Sequence, residues 1–162
     1  MNKLKIFLTK GAGEGVTKDA AYCQALAAAG LINLNLIHLT SVLPHNSEII
    51  EEKPKFSYQD HGKKLYVIIS EARTSKAGET ICAGLGWLEE KGGTGYGLVV
   101  QIQGKNEEKV RKETRDSLGE IAKYGKGINR NKINIVTEKI ICKNKPVCAL
   151  VVLAFNKIGG WF

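Results

Sequence analysis

Alternating hydrophobic and polar positions near the start of the chain predict a β-strand. Leu4, Ile6 and Leu8 recur at every second position, which places them on one face of an extended segment. The glycine-rich run at residues 11–15 follows directly. It resembles a phosphate-binding loop but lacks the Gly-Lys-Ser/Thr ending and the full dinucleotide-binding spacing. We therefore expect a flexible connection at residues 11–15.

A helix is predicted from Lys18 to Ala29. Thr17 is a suitable N-cap, Asp19 lies in the first turn, where it favours the helix dipole, and Gly30 is a suitable stop. The segment is rich in alanine, so the helix can pack closely against a sheet or another subunit.

The remaining pattern predicts further strands, two more helices and one long loop. The predicted strands are residues 34–39, 65–70, 97–103, 133–142 and 147–155, with a turn at residues 143–146. The predicted helices are residues 79–90 and an amphipathic segment that begins after Asn106, stops at Gly125 and faces Val110, Leu118, Ile121 and Ala122 inward. Residues 48–64 are expected to form a loop. Strands outnumber the intervening helices, which predicts an α+β fold of packed sheets flanked by helices.

Composition favours a single core and a reducing compartment. With 162 residues and 43% hydrophobic content, a single domain over residues 1–162 is expected. No run approaches the roughly 20 apolar residues that span a bilayer, and the first residues lead straight into a strand, so we expect a cytoplasmic protein without a membrane partner. The four cysteines are widely spaced, which favours small buried thiols over a metal or redox site.

The net charge of +8 raises the possibility of a nucleic-acid partner. The densest basic segment, residues 105–115, is interleaved with acidic residues, as on a solvated helix face. No aromatic stacking platform accompanies it. A nucleic-acid-binding module is therefore disfavoured.

Several short motifs along nearly the whole chain identify a family. In order they are Gly13-Glu14-Gly15 with Thr17, Ala25-Leu26, Ala29-Gly30, Asn33-x-Asn35-Leu36-Ile37, Thr40-Ser41-Val42-Leu43-Pro44, Gly78-Glu79-Thr80-Ile81, and Gly97-Leu98 before Gly104-Lys105. Their order and spacing resemble those of the pyruvoyl-dependent arginine decarboxylases. Several unrelated patterns would have to coincide to give this match by chance.

The resemblance implies a precursor that cuts itself between Thr40 and Ser41. Residues 1–40 would form the β chain and residues 41–162 the α chain. The Ser41 hydroxyl would attack the Thr40 carbonyl to give an ester, and β-elimination followed by hydrolysis would leave a covalent pyruvoyl group. Only a residue with a β-leaving oxygen can react in this way. The implied reaction is arginine to agmatine plus carbon dioxide, which feeds polyamine synthesis.

The resemblance also implies a homotrimer, or a multiple of one, with active sites between subunits.

The resemblance assigns Asn35 to the cleavage site and the substrate pocket. On a regular strand Asn35, six residues before Ser41, would lie on the same face as Ser41. We therefore expect the two side chains to point to the same face of the sheet.

Two acidic residues of the family pattern are missing. Gln101 stands where the resemblance places a glutamate that donates a proton to the reacting carbon, and Cys23 stands where it places the acid that meets the substrate guanidinium. Asp19, one helical turn before Cys23, could take over that contact or serve only the helix dipole. Three interpretations follow: an arginine decarboxylase with relocated polar groups, a decarboxylase for another amino acid, or a self-processing but weakly active subunit that supports or regulates an active relative.

Overall fold

The computed structural model describes residues 2–162. In chain order the elements are β1 (Leu4–Glu14), α1 (Lys18–Ala29), β2 (Asn35–His38), β3 (Val42–Leu43), β4 (Ser47–Glu51), β5 (Lys64–Thr74), β6 (Thr80–Glu89), β7 (Gly97–Gly104), α2 (Glu107–Ile121), β8 (Asn134–Ile141) and β9 (Val147–Gly159). Short 3₁₀ turns lie at Tyr58–Asp60 and Ala122–Tyr124.

Two sheets pack face to face, with one helix on the outside of each. The first sheet has the strand order β2-β5-β9-β1-β4, and the second has the order β3-β7-β6-β8. Helix α1 packs on β1 and β9 of the first sheet, and α2 packs on β6 and β7 of the second. The core between the sheets is apolar and includes Ile6, Leu43, Ile68, Leu85, Val99 and Leu153. The predicted α+β fold, an αββα sandwich, is confirmed.

Helix α1 begins and ends as predicted. The Thr17 hydroxyl oxygen accepts a hydrogen bond from the Ala20 amide at 3.0 Å, which is the expected N-cap contact. Gly30 adopts a left-handed conformation with φ of 80°, and its amide bonds back to carbonyls of the last turn. The predicted capping of α2 by Asn106 is confirmed too, and Val110, Leu118 and Ala122 are buried beneath that helix.

The prediction of a flexible connection at residues 11–15 is wrong, because β1 continues to Glu14. The glycines let α1 lie directly against the strand. A Cβ atom on Gly11 would stand 2.1 Å from the Ala25 carbonyl oxygen, and one on Gly13 would stand 2.6 Å from the Ala25 amide nitrogen. Glycine is therefore required here by close helix–strand packing rather than by a turn.

Replacing Gly11 with alanine is expected to destabilise the fold by about 3 kcal/mol or more, since backbone atoms cannot move away from the new methyl group as a flexible side chain would. Gly119 in α2 is a matched control, because a Cβ atom there meets nothing within 4 Å. Gly119→Ala should stabilise the protein by roughly 0.5–1 kcal/mol. Urea unfolding of both variants tests this, and equal midpoints would contradict the close-packing account.

The predicted helix at residues 79–90 is also wrong, since the segment forms strand β6. Residues 81–88 are all buried because α2 covers one face of the strand and the first sheet covers the other. A continuous apolar run of this kind does not distinguish a buried helix from a strand covered on both faces. Gly86 lies directly beneath α2, where a Cβ atom would stand 2.4 Å from the Thr114 methyl group.

Part of the predicted loop at residues 48–64 is a strand as well. Strand β4 pairs in parallel with β1, with Leu4 opposite Ser47, so an edge strand stands where the polar composition predicted none. The last two strands match the predicted segments closely, but they belong to different sheets. The turn at residues 143–146 thus carries the chain from one sheet to the other.

Candidate active site

The Thr40–Ser41 peptide bond lies where the chain crosses from one sheet to the other. The Leu39 amide donates to the Val67 carbonyl of β5 at 2.8 Å, so residue 39 is still attached to the first sheet. The Ser41 carbonyl accepts from the Val99 amide of β7 at 2.9 Å, so residue 41 is already attached to the second sheet. The peptide bond between them is therefore held from both sides by separate sheets.

Gln101 lies beside Ser41. The Ser41 hydroxyl donates a hydrogen bond to Gln101 Oε1, with an oxygen–oxygen distance of 3.2 Å, and both residues are half-buried. Because the hydroxyl proton points at the amide oxygen, the lone pairs of Ser41 Oγ remain available for attack on a carbonyl carbon. The structure thus brings together two residues that are 60 positions apart in the sequence.

The flanking residues differ sharply in exposure. Thr40 is exposed and Val42 is 52% exposed, whereas Leu43 is fully buried in the core between the sheets. Strand β3 contains only Val42 and Leu43, which pair with Leu98 and Gly97 of β7. Ser41 therefore lies at the open edge of the sandwich, two residues before a buried anchor, Leu43.

The expectation that Asn35 and Ser41 share the face of one regular strand is wrong. Strand β2 ends at His38, and the chain leaves the first sheet before it reaches Ser41. Asn35 lies at the far end of β2, where its side-chain amide donates to the Gly62 carbonyl at 2.7 Å. The two residues belong to separate sheets within one chain, and the role assigned to Asn35 stays a prediction.

Asp19 is paired with a guanidinium group of the chain itself. Arg73 Nη1 donates to Asp19 Oδ1 at 2.8 Å, and Arg73 also pairs with Glu71. The guanidinium carbon lies 4.1 Å from the centre of the Tyr22 ring, a cation–π contact. The Asp19 side chain is 93% exposed, so solvent weakens this pair, and a competing cation could displace Arg73.

Cys23 lies on the same helix as Asp19 and is exposed. Because α1 covers the outer face of the first sheet, that sheet separates both residues from Ser41 and Gln101 within one chain.

The four described cysteines are free thiols. Three of them are buried, as expected, but Cys23 is exposed. Burial raises the pKa of the Cys148 thiol to about 12, so that thiol stays protonated at neutral pH.

A group of side chains that sequence reasoning missed lies four residues downstream of Ser41. His45 stacks on Tyr96 and contacts Thr94, which in turn bonds to Glu90; we name these four residues the His45 clamp. These contacts join residues that are up to 51 positions apart in the sequence, so no local pattern predicts them. The nearness of a histidine to Ser41 was the one available signal.

Two further properties concern ligands and membranes. Across residues 2–162, no three His, Cys, Asp or Glu side chains are grouped closely enough to hold a metal ion. Within the same residues, neither helix combines the length and the apolar character needed to cross a membrane.

Comparison with known proteins gives the family. A family model described as pyruvoyl-dependent arginine decarboxylase matches residues 5–158. The chain is similar to the pyruvoyl-dependent arginine decarboxylases of Pyrococcus furiosus, at 31% identity, and Pyrococcus horikoshii, at 30% identity, each over 90% of both chains. The Methanocaldococcus jannaschii relative is 33% identical over 74% of this chain and 68% of its own length. This chain belongs to the pyruvoyl-dependent arginine decarboxylase family.

Proposed function

We propose that the chain cuts itself between Thr40 and Ser41, converts Ser41 into a pyruvoyl group, and decarboxylates arginine to agmatine. The observation that carries the proposal is the position of Ser41, whose hydroxyl is oriented by Gln101 at a peptide bond held between two sheets. Family membership supports the cofactor and the substrate.

The cut follows from the chemistry of serine. Ser41 Oγ attacks the Thr40 carbonyl carbon, the peptide C–N bond breaks, and an ester joins Thr40 to Ser41 Oγ. Loss of the Ser41 α-proton then breaks the Cβ–Oγ bond, which releases residues 1–40 as a free carboxylate and leaves dehydroalanine at position 41. Water replaces the nitrogen of that residue, and ammonia departs. The product is a ketone at the start of residues 41–162.

The surroundings of Ser41 suit this sequence of steps. Leu39 stays bonded to β5 on one side, while Ser41 and Leu43 stay bonded to β7 on the other. Neither new end has to leave its sheet when the chain is cut. The residues present thus fit a pyruvoyl group at position 41, which supplies an electron sink for the electrons released when the substrate loses its carboxylate.

Gln101 has a limited set of roles at this site. Its amide oxygen can accept a hydrogen bond from the Ser41 hydroxyl before the cut, and its amide nitrogen can donate one afterwards. The amide cannot deliver a proton as a carboxylic acid does. We therefore expect self-processing to be intact and the protonation of the product carbon to be slow.

Neither residue assigned to the substrate guanidinium offers an unpaired carboxylate. Cys23 provides no charge, and Asp19 is paired with Arg73. A guanidinium–carboxylate contact that is remote from the reacting carbon is shared by the ground and transition states, so it acts chiefly on substrate affinity.

Restoring a carboxylate at position 23 is expected to lower the KM for arginine by roughly 10-fold or more, with little change in kcat, because a hydrogen bond to a charged group is gained. Cys23→Ser is the matched control, since it changes the size and polarity of the side chain without adding charge. Steady-state agmatine formation by Cys23→Asp, Cys23→Ser and wild type checks this. Equal KM values in the two variants would place the guanidinium site elsewhere.

A substrate panel tests the proposed function. The purified protein is given each common amino acid at equal concentration, and carbon dioxide release and amine formation are measured. Arginine as the best substrate supports the proposal. Faster release from another amino acid would keep the cofactor chemistry and contradict the substrate.

The second candidate is a self-processing subunit with little turnover of its own. The observation that favours it is the pair of neutral side chains, Gln101 and Cys23, where the resemblance places acids. Such a subunit would assemble with an active relative and stabilise or regulate it. Complete self-cleavage without carbon dioxide release from any amino acid would favour this candidate over the first.

We further propose a homotrimer, or a multiple of one, with a neighbouring copy over the edge that carries Ser41. Val42 is 52% and Tyr66 39% exposed at this edge, and within residues 2–162 β2 pairs with only the first four residues of β5. Exposed apolar side chains beside an uncovered strand edge favour an interface.

Light scattering at micromolar concentration is expected to give about three times the 17.7 kDa of one chain, or a multiple of that value. The expectation rests on the need to cover Val42 and Tyr66 and on the implied position of the sites between subunits. A mass equal to one chain across the whole concentration range would contradict the trimer.

A further inference from the structure

We infer that His45 is a positioning residue that holds Ser41 in register with β7, both before and after the cut. This inference rests on the proposed function, because it assigns His45 a part in self-processing at Ser41. It concerns the His45 clamp, which contains no residue that the proposed chemistry uses.

The ring of His45 is held by two contacts. It stacks on the Tyr96 ring with a centroid separation of 4.9 Å and an interplanar angle of 16°. Its Nδ1 lies 3.3 Å from Thr94 Oγ1, and the Thr94 hydroxyl donates its single proton to Glu90 Oε2 at 2.8 Å. Since Thr94 donates its hydroxyl proton to Glu90, it can only accept a hydrogen bond from His45. Nδ1 of His45 therefore carries a hydrogen.

Glu90 is suited to fix this arrangement. The hydrogen bond from Thr94 is the main reason that the pKa of the Glu90 carboxyl lies below its usual value. The group therefore remains a carboxylate and an acceptor near neutral pH. Because Glu90 can only accept, the hydrogen bonds run in one direction, from His45 to Thr94 and from Thr94 to Glu90.

Backbone contacts fasten the rest of the segment to the same turn. The Asn46 amide donates to the Thr94 carbonyl at 2.7 Å, and the Ser47 hydroxyl lies 2.8 Å from the Pro44 carbonyl oxygen and 3.2 Å from that of Gly95. Gly95 has φ of 82°, and a Cβ atom on it would stand 2.0 Å from the Ser47 carbonyl oxygen. Residues 44–47 thus lie against the β6–β7 turn at several points.

This attachment bears on Ser41 because it adds to a short anchorage, which otherwise consists of the backbone bond from Val99 to Ser41, strand β3 and the buried Leu43 side chain. Strand β3 is only two residues long, and Ser41 lies immediately before it. A displacement of about 1 Å between reacting groups can cost on the order of 100-fold in rate. After the cut, residue 41 becomes a chain end, and chain ends open readily unless they are tied down. His45 is the nearest side chain in the sequence that ties this end to the β6–β7 turn.

Three substitutions separate the two contacts of the ring. His45→Ala removes both of them. His45→Asn keeps a hydrogen-bond donor close to the position of Nδ1 but loses the stacking on Tyr96, and His45→Phe keeps the stacking but loses the donor. His61→Ala is the matched control, since His61 is another exposed histidine that contacts a tyrosine ring, that of Tyr58.

The test combines two measurements on the full chain. Hydrogen–deuterium exchange reports opening of residues 42–47, and cell-free synthesis followed by electrophoresis reports the rate at which the full-length chain is cut. For His45→Ala we expect exchange of residues 42–47 to be faster, and the cut slower, by roughly 5- to 10-fold, which corresponds to losing one hydrogen bond and one ring contact. His45→Asn and His45→Phe should give intermediate values, and His61→Ala should match wild type.

The outcomes are distinguishable. Unchanged exchange and an unchanged rate in His45→Ala would overturn the inference, and so would faster exchange without a slower cut. If wild type is never cut, the proposed function fails, and the exchange data alone decide whether His45 holds residues 42–47. If His45→Ala does not fold, as judged by circular dichroism, the graded effects of the asparagine and phenylalanine variants decide the question.

Discussion

Replacing Ser41 with alanine is expected to give a folded, uncut chain of 162 residues with no decarboxylase activity. The substitution removes the attacking oxygen and its hydrogen bond to Gln101, while the backbone contact with Val99 and the buried Leu43 anchor are unaffected. Without the hydroxyl there is no ester, no elimination and no ketone. Electrophoresis and circular dichroism of the purified variant provide the measurement.

Two companion variants sharpen this test. Ser75→Ala removes an exposed serine from the turn between β5 and β6 and should be cut like wild type. Ser41→Cys should be cut slowly, since a thiolate can form the corresponding thioester. Cleavage at the same bond in Ser41→Ala would refute the mechanism.

The second large effect is expected at Gln101. If Gln101 occupies the proton-donor position, Gln101→Glu should raise arginine turnover by on the order of 10²- to 10⁴-fold, the usual contribution of general acid catalysis. The gain arises because a carboxylic acid delivers a proton to the product carbon and an amide does not. Agmatine formation under steady-state conditions is the measurement, and the double variant with Cys23→Asp should combine a higher kcat with a lower KM.

Gln103→Glu is the matched control for this prediction. It adds the same carboxylate to the same strand, two residues away and at an exposed position. We expect no gain from it. Rapid arginine turnover by wild type, unchanged in Gln101→Glu, would show that the donor lies elsewhere.

Local signals in the sequence predicted those parts of the fold that local interactions determine. Thr17 and Gly30 bound α1 as expected, because capping contacts form between near neighbours in the chain. Strand β6 was missed because its burial on both faces depends on α2 and on the opposite sheet, and these contacts are invisible in an apolar run. The glycines of β1 were misassigned for a related reason, since the α1 backbone that excludes a side chain at Gly11 approaches through tertiary packing.

The site was predicted by resemblance rather than by pattern. Nothing local links Ser41 to Gln101, which meet only because β3 joins the edge of β7. A regular strand would have placed Asn35 on the same face as Ser41, but β2 ends at His38 and the chain crosses to the other sheet before Ser41. The His45 clamp joins residue 45 to the β6–β7 turn at residues 90–96, two segments far apart in the sequence, so no spacing rule could have found it.

The intact mass of the freshly purified protein shows whether the chain makes its own cofactor at Ser41. We expect two polypeptides, residues 1–40 and residues 41–162, with the larger one lighter by one ammonia than the same fragment with a free serine amine. Its blocked end should react with a carbonyl reagent and resist sequential degradation. A single uncut chain of 162 residues would show that Ser41 is not converted into a pyruvoyl group.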